Sequence, residues 1–375
     1  MTLLVVFGNT PELAWQELIS VIPTAERTSD HAAIIHDATV APADLMEKLG
    51  GAIKIGRLVS VVKTLDAQSL APILSMEKFR TFGISTVDTP PVNTTLLGQI
   101  KEKMGRPTRF VLGQLSSVVI TKQRVFELVA FPYRGKFGIA ATIAVQDFEA
   151  WSKRDRGRPH ADPKAGMLPP KVGRMLVNIA GSPLSSRPPS RDPVPESHGF
   201  RVKPGMTQKT LLDPFCGMGT ILAEALLLGW QVIGSDQSEE VVVKAQANLR
   251  WLGLKTHKLF TSDATHISEK VESVDAIVTE PFMGKPNVSR ENVKDIMTGL
   301  SKLYIGCLKD WRGVLKPGGR LVMAFPRFTF GEKSFFVKKV IDSCETLGYT
   351  VLAGPIEYAR PSAVVKREIY VLRKN

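Results

Sequence analysis

The C-terminal part of the chain, from Thr210 onward, alternates short apolar runs with longer segments whose apolar residues recur at helical spacing. The predicted strands are LLDPF, QVIGSD, KLFTSDA, VDAIVTEP, GGRLVMAFPRF, YTVLAGPIEYA and VKREIYVLRK, and the predicted helices are TILAEALLLG, EVVVKAQANLRWLG and NVKDIMTGLSKLYIGCLKDWRGVL. Such alternation is typical of a doubly wound α/β sheet with right-handed crossovers. A short polar loop joins the last two strands, so we expect them to pair antiparallel. Residues 207–375 are therefore predicted to form an α/β domain with a mostly parallel, seven-stranded sheet.

The first 147 residues carry a mixed pattern that predicts two small α+β modules. Over residues 1–70 the predicted order is LLVVF (strand), ELAWQELISVI (helix), AAIIHDA (strand), ADLMEKLGG (helix) and AIKIGRLVSVVK (strand), a succession typical of ferredoxin-like modules. Over residues 71–147 it is RTFGIST (strand), TLLGQIKEKMG (helix) and the strands FVLGQ, SVVIT, FELVAF and KFGIAATIAV, with YRGK as a hairpin turn.

Positive charge is concentrated between these two regions. The net charge is +13, and residues 151–205 hold eleven Lys and Arg against four acidic residues, so they supply seven of the thirteen charges. Residues 148–206 are predicted to be a basic linker, helical near both ends of 149–180 and rich in proline from 182 to 206. A basic band suits phosphate-backbone binding, since each neutralised phosphate releases counterions. Charge alone is equally consistent with a simple solvated surface.

Composition argues against several classes of protein. No segment reaches the roughly 20 apolar residues that a membrane span needs, so no membrane partner is expected. The N-terminus lacks a basic n-region and a cleavage site, which argues against a signal peptide. Cys216, Cys307 and Cys344 are odd in number and far apart, which is typical neither of a disulfide framework nor of a metal site. We therefore expect a cytoplasmic protein without a metal, and we favour a monomer.

The first candidate for chemistry is DPFCGMGT, residues 213–220, which follows a predicted buried strand and opens a helix. Glycines at such a turn let the backbone approach a ligand, and the helix N-terminus offers free N–H groups to an anion. The third glycine of the dinucleotide fingerprint is missing, because Leu222 stands in its place, so a dehydrogenase is disfavoured.

The next three predicted strands also end in acidic residues, namely Asp236, Asp263 and Glu280. A carboxylate at the second strand end can accept hydrogen bonds from both ribose hydroxyls, and one at the third can meet an adenine amino group. Each acid alone is more often a turn or cap residue. In this order, at one edge of one sheet, they indicate an adenosyl nucleoside ligand.

These motifs resemble a known enzyme family. DPFCGMGTILAEALLLG, followed by GSD, DA and an acid-Pro-aromatic strand end, is similar to the S-adenosylmethionine-dependent RNA guanine-N2 methyltransferases that carry an N-terminal THUMP domain. The segment RPHADPKAGMLPPKVGRMLVNIAG resembles the one that precedes their catalytic core, and GNTPELAWQEL, KLGGAIKIGRLV and RTFGIST resemble their N-terminal half. The resemblance implies a class I (Rossmann-like) methyltransferase domain over 207–375, a THUMP-like RNA-binding module over 71–147, and tRNA as the partner.

Carried onto this chain, the resemblance implies a role for each motif. S-adenosyl-L-methionine would be held at its methionine part, its ribose and its adenine by Asp213, Phe215, Cys216, Gly217, Gly219, Asp236, Asp263 and Ala264. The acceptor base would be held by Glu280, Pro281 and Phe282. Arg158, Lys171 and Arg174 are candidates for contacts with RNA phosphates.

The acceptor motif departs from the family pattern. The family usually shows Asp-Pro-Pro-Tyr, whereas this chain has Glu280-Pro281-Phe282-Met283. The extra methylene would shift a bound base by about 1 Å, a displacement that can cost ~100-fold in rate. Two alternatives to guanine-N2 methylation therefore stay open. One is an adenine-N6 nucleic-acid methyltransferase, and the other is a catalytically silent RNA-binding protein that still binds S-adenosylmethionine.

Overall fold

The computed structural model describes residues 1–161, 167–184, 207–284, 288–359 and 363–375. They divide into two compact units, Met1–Trp151 and Ser152–Asn375. Most of the expected proline-rich segment, residues 185–206, lies outside the described residues.

The first unit is built on one mixed sheet. Its elements are β1 (Leu3–Phe7), α1 (Pro11–Val21), β2 (Glu26–Ser29), β3 (Ala32–Ile35), α2 (Pro42–Lys48), β4 (Ala52–Val62), α3 (Ala67–Ser75), β5 (Thr81–Thr86), α4 (Thr94–Met104), β6 (Arg109–Val111), α5 (Ser117–Gln123), β7 (Phe126–Tyr133), β8 (Lys136–Val145) and α6 (Phe148–Arg156), which extends into the second unit. The order β2-β3-β1-β4-β8-β7-β5-β6 makes the sheet eight-stranded within the described residues. Strands β1–β4 and β5–β8, from the two expected modules, form its two halves, and the β4–β8 pairing joins them.

One N-terminal prediction is wrong. SVVIT was expected to be a strand because it is rich in β-branched residues, yet Ser117–Gln123 is a helix. The Ser116 side chain caps this helix by accepting a hydrogen bond from the Val119 N–H at 3.3 Å. Two elements were missed. Strand β2 has the polar sequence ERTS without an apolar pattern, and helix α3 contains Pro72.

The second unit is an α/β domain. Its further elements are α7 (Pro170–Ala180), β9 (Thr210–Asp213), α8 (Thr220–Leu227), β10 (Gln231–Asp236), α9 (Glu239–Trp251), β11 (Lys258–Thr261), a 3₁₀ helix (Ala264–Glu269), β12 (Val274–Thr279), α10 (Val293–Val314), β13 (Leu315–Phe330), β14 (Lys333–Phe336), α11 (Lys338–Asp342), β15 (Tyr349–Tyr358) and β16 (Val365–Lys374). The strand order is β11-β10-β9-β12-β13-β16-β15, and β14 pairs with β13 outside this path.

The sheet arrangement confirms the expected mostly parallel layout. Strands β11, β10, β9, β12 and β13 pair in parallel, whereas β16 is antiparallel to both β13 and β15. The carboxyl ends of parallel strands meet at one edge of a sheet, so the ends of β9, β10, β11 and β12 lie side by side. The short elements β14 and α11 were not predicted.

The hydrophobic core of this unit packs against the residues at the carboxyl ends of the parallel strands. Trp311 on α10 is fully buried, and its indole N–H donates to the Ala264 carbonyl at 2.8 Å. The same ring lies edge-on to Phe215, with 6.2 Å between ring centroids. Trp311 is therefore a packing anchor. In the described part of the chain, no helix combines the length and apolar character that crossing a membrane requires.

Candidate functional site

The turn after β9 is shaped by two glycines. Gly217 and Gly219 have φ values of 49° and 81°, in the left-handed region that favours glycine. The Cys216 N–H donates to the Ser235 carbonyl at 2.8 Å, and the Gly219 N–H donates to the Cys216 carbonyl at 2.8 Å. Gly219 then starts helix α8, without a side-chain cap on that helix. These hydrogen bonds fix the conformation of the turn at the sheet edge.

Asp236, at the end of β10, bridges this turn and the next helix. Its Oδ2 accepts from the Gly217 N–H at 3.2 Å, and its Oδ1 accepts from the Ser238 N–H at 3.1 Å. The residue is only half-buried. The carboxylate is thus fixed in orientation while part of it still faces solvent.

Asp213, at the end of β9, lies beneath the turn. It is 1% exposed, and its Oδ1 accepts from the Thr279 hydroxyl at 2.7 Å and from the Phe215 N–H at 3.2 Å. Burial, helped by the charges of Asp236 and Glu280, raises the pKa of this carboxyl from 3.8 to about 7. The Asp213 carboxyl thus ties the turn after β9 to the end of β12, and its contact with the cofactor stays a prediction.

This pKa shift predicts a pH-dependent stability. The folded state keeps the Asp213 proton up to about pH 7, whereas the unfolded chain loses it near 3.8, so the folded state binds more protons in between. The free energy of unfolding should therefore fall as pH rises from about 4 to 7. Asp213→Asn keeps both acceptor contacts and should flatten this decline, measured by urea unfolding at several pH values. The exposed Asp342→Asn serves as control and should leave the decline unchanged. Equal slopes for Asp213→Asn and wild type would contradict the prediction.

Asp263 and Ala264 form the third strand end. The Asp263 carboxylate accepts from both the N–H and the hydroxyl of Thr265 at 2.8 Å, and these bonds lower its pKa. Asp263 is exposed, whereas Ala264 is buried with its carbonyl bonded to Trp311. Asp263 therefore caps the 3₁₀ helix and remains open to a ligand.

The fourth strand end carries the predicted acceptor motif. Glu280 pairs with the guanidinium of Arg367 on β16. Pro281 is buried, whereas Phe282 is 49% exposed. The Tyr304 hydroxyl donates to the Phe282 carbonyl at 2.6 Å and so fixes the backbone that presents this ring.

Removing the Tyr304 hydroxyl should disturb the presentation of Phe282. For the methyl transfer that the family resemblance implies, we expect Tyr304→Phe to lower kcat about fivefold, since one hydrogen bond contributes about 1 kcal/mol. Tyr349→Phe is the matched control, because that buried hydroxyl also donates to a carbonyl, that of Leu308, at 2.9 Å. The measurement is kcat beside the thermal unfolding midpoint. An equal loss of kcat in both variants would contradict a role specific to Tyr304.

The three residues expected to contact RNA phosphates differ in burial and in partners. The Arg174 guanidinium donates to Glu224 at 2.7 Å, and that of Arg158 donates to the Thr220 hydroxyl at 2.8 Å. Both side chains are buried against residues of α8, and a phosphate contact by either stays a prediction. Lys171 is half-buried, and burial together with Arg154 lowers its pKa to about 8. A phosphate contact by Lys171 stays a prediction.

Sequence analysis missed four residues that support the site. Thr279, Tyr304 and Arg367 contact the strand ends as described above. The fourth, Asn248, is buried, and its amide donates to the Met218 carbonyl at 3.0 Å and to the His160 carbonyl at 2.8 Å. Only Thr279 has a local signal, since it directly precedes Glu280.

Comparisons with known proteins find similarity to methyltransferases. Residues 204–335 match the family model UPF0020, described as RMKL-like, methyltransferase domain. The chain is 30% identical over 222 residues to the tRNA (guanine(10)-N2)-dimethyltransferase of Pyrococcus abyssi, which covers 59% of this chain and 53% of that protein. It is also similar to a Methanothermococcus thermolithotrophicus protein named Probable tRNA (guanine(10)-N2)-dimethyltransferase, with 33% identity over 134 residues. That alignment covers 34% of this chain and 74% of the relative. The chain spans about half the length of the first curated relatives it matches.

A solved structure shares the fold. The crystal structure of TrmN from Thermus thermophilus matches with a TM-score of 0.57 over 100% of both chains, at 18% identity. At this identity the likeness shows the fold alone. It confirms the class I methyltransferase fold expected from the sequence.

Proposed function

Because the chain belongs to the family of THUMP-containing tRNA guanine-N2 methyltransferases, we propose that it transfers a methyl group from S-adenosylmethionine to the exocyclic N2 amine of a guanosine in tRNA. The strongest support is that two structural features lie next to each other at one edge of the sheet. These are the glycine turn after β9 and the Glu280-Pro281-Phe282 strand end, which the Asp213–Thr279 hydrogen bond ties together.

The residues present fit S-adenosylmethionine. A Cβ placed on Gly217 would meet nothing nearer than the Phe215 carbonyl oxygen at 4.0 Å, so this glycine borders open space. The half-buried Asp236 offers a fixed carboxylate to ribose hydroxyls, and the exposed Asp263 offers one to the adenine edge. Gly219 would let the backbone approach the methionine part. The cofactor supplies an electrophilic methyl group on a sulfonium sulfur.

The acceptor chemistry is assigned to the end of β12. The lone pair of a guanine N2 amine is delocalised into the ring, so the amine is a poor nucleophile. Glu280 accepts a hydrogen bond from this amine and, with a neighbouring backbone carbonyl, directs its lone pair outward. Orientation and electrostatics of this kind account for most of the rate gain in a direct transfer. The half-exposed Phe282 ring offers a face on which the base stacks.

The choice of RNA as substrate rests on charge and on the relatives. A chain of +13 is suited to a polyanion, and two of the relatives are named for a tRNA guanine. The THUMP-like module expected over 71–147 would hold the RNA at a distance from the target base. This part of the proposal extends beyond the methyltransferase domain itself.

Transfer of labelled methyl tests the proposal. Purified full-length protein is incubated with labelled S-adenosylmethionine and, in separate reactions, unmodified tRNA, an unstructured RNA and duplex DNA. We expect label in tRNA. Label in DNA alone would contradict RNA specificity, and cofactor binding without label in any acceptor would favour a silent RNA-binding protein.

A further inference from the structure

The acceptor carboxylate is paired with an arginine from a distant strand. Glu280 directly follows β12, and Arg367 belongs to β16, 87 residues further along the chain. The two side chains are 16% and 15% exposed, so the pair is largely shielded from water. An ion pair that is shielded in this way is screened less by salt than a surface pair.

Arg367 is itself held in place by the sheet. In β16 it lies opposite Pro326 of β13 and Tyr358 of β15. Its guanidinium lies 5.7 Å from the centroid of the Tyr358 ring, within cation–π distance. The adjacent Glu368 forms its own ion pair with Arg327. The sheet thus gives Arg367 a defined orientation toward Glu280.

The Glu280–Arg367 ion pair lies among several acidic side chains. Asp213, Asp236 and Glu280 gather at neighbouring strand ends, and the charge of Glu280 disfavours ionisation of both Asp213 and Tyr304. A positive charge beside Glu280 offsets this crowding of negative charge. Glu also has one more rotatable bond than Asp, so a partner is needed to fix where its oxygens lie.

We propose that Arg367 is the positioning residue of the acceptor site, holding the Glu280 carboxylate as an oriented anion so that the longer side chain can receive the amine. The inference rests on the proposed function, because it takes Glu280 as the amine acceptor. It accounts for the departure from the family motif, since a longer acid that is anchored from β16 need not displace the base.

Steady-state kinetics of full-length Arg367→Gln test the proposal. We expect kcat for methyl transfer to fall about 10- to 100-fold, as for a misplaced reacting group, with the KM for S-adenosylmethionine within twofold of wild type. Arg367→Lys keeps the charge and should retain more activity than Arg367→Gln. Arg373→Gln is the matched control, because Arg373 lies on the same strand and is exposed. It should leave kcat unchanged.

A double-mutant cycle separates positioning from general damage to the strand. If Arg367 acts through Glu280, adding Arg367→Gln to Glu280→Gln should change the single-turnover rate less than twofold. An equal fold loss in both backgrounds, a wild-type kcat for Arg367→Gln, or equal losses in Arg367→Gln and Arg373→Gln would overturn the inference. In each of these cases the wild-type enzyme is still active, so the proposed function would stand. Wild-type protein that methylates no RNA would overturn both.

Discussion

Replacing Glu280 by glutamine is expected to lower kcat for methyl transfer about 100- to 1,000-fold, the range found when one preorganised group is removed from a site of developing charge. Glutamine has nearly the same size, but it replaces a carboxylate oxygen with an N–H donor. That donor cannot accept a hydrogen bond from an amine, and it cannot pair with Arg367 as the carboxylate does. The measurement is the rate of label transfer to tRNA under saturating cofactor.

The controls for this prediction separate chemistry from folding. The dissociation constant for S-adenosylmethionine should stay within about twofold of wild type, because Glu280 belongs to the acceptor side of the site. Glu345→Gln removes an exposed carboxylate elsewhere in the domain and should leave the rate unchanged. Full activity in Glu280→Gln would show that the acceptor amine is held by other groups.

Asp236→Asn should have a comparably large effect, but on cofactor binding. The carboxylate uses one oxygen for the Gly217 N–H and the other for the Ser238 N–H. An amide can accept at only one of these positions, so either the glycine turn or the start of α9 loses its partner, and ribose hydroxyls lose an anionic acceptor. Hydrogen bonds to charged groups contribute about 1.5–3 kcal/mol, so we expect a dissociation constant about 100-fold higher.

Isothermal titration with S-adenosylmethionine measures this effect. Glu240→Gln is a matched control, since this neighbouring acid on α9 is exposed and pairs with Lys244. It should bind the cofactor like wild type. An unchanged affinity for Asp236→Asn, at an unchanged unfolding midpoint, would place the ribose elsewhere.

The strand ends that carry Asp213, Asp236 and Asp263 were predictable because each is marked by a short sequence motif. An apolar strand followed by Asp213-Pro-Phe-Cys-Gly and, later, strands ending in Asp236 and Asp263 show the pattern without any knowledge of contacts. The structure places these strand ends side by side, as the parallel topology requires.

The supporting residues were not predictable because their partners are distant in sequence. Tyr304 lies 22 residues from Phe282, and Arg367 lies 87 residues from Glu280. The same reason explains why the buried ion pair of Arg174 was not predicted. A basic residue in a basic segment suggested phosphate binding, whereas its actual partner is Glu224, 50 residues further on. Charge counted along a chain does not show which charges are neutralised in the fold.

The identity of the methylated nucleoside tests the central claim most directly. Unmodified tRNA is incubated with S-adenosylmethionine and the full-length protein, digested to nucleosides and analysed by mass spectrometry. The account predicts N2-methylated guanosine, made by wild type and lost in Glu280→Gln. N6-methyladenosine, or no methylated nucleoside from protein that binds the cofactor, would contradict it.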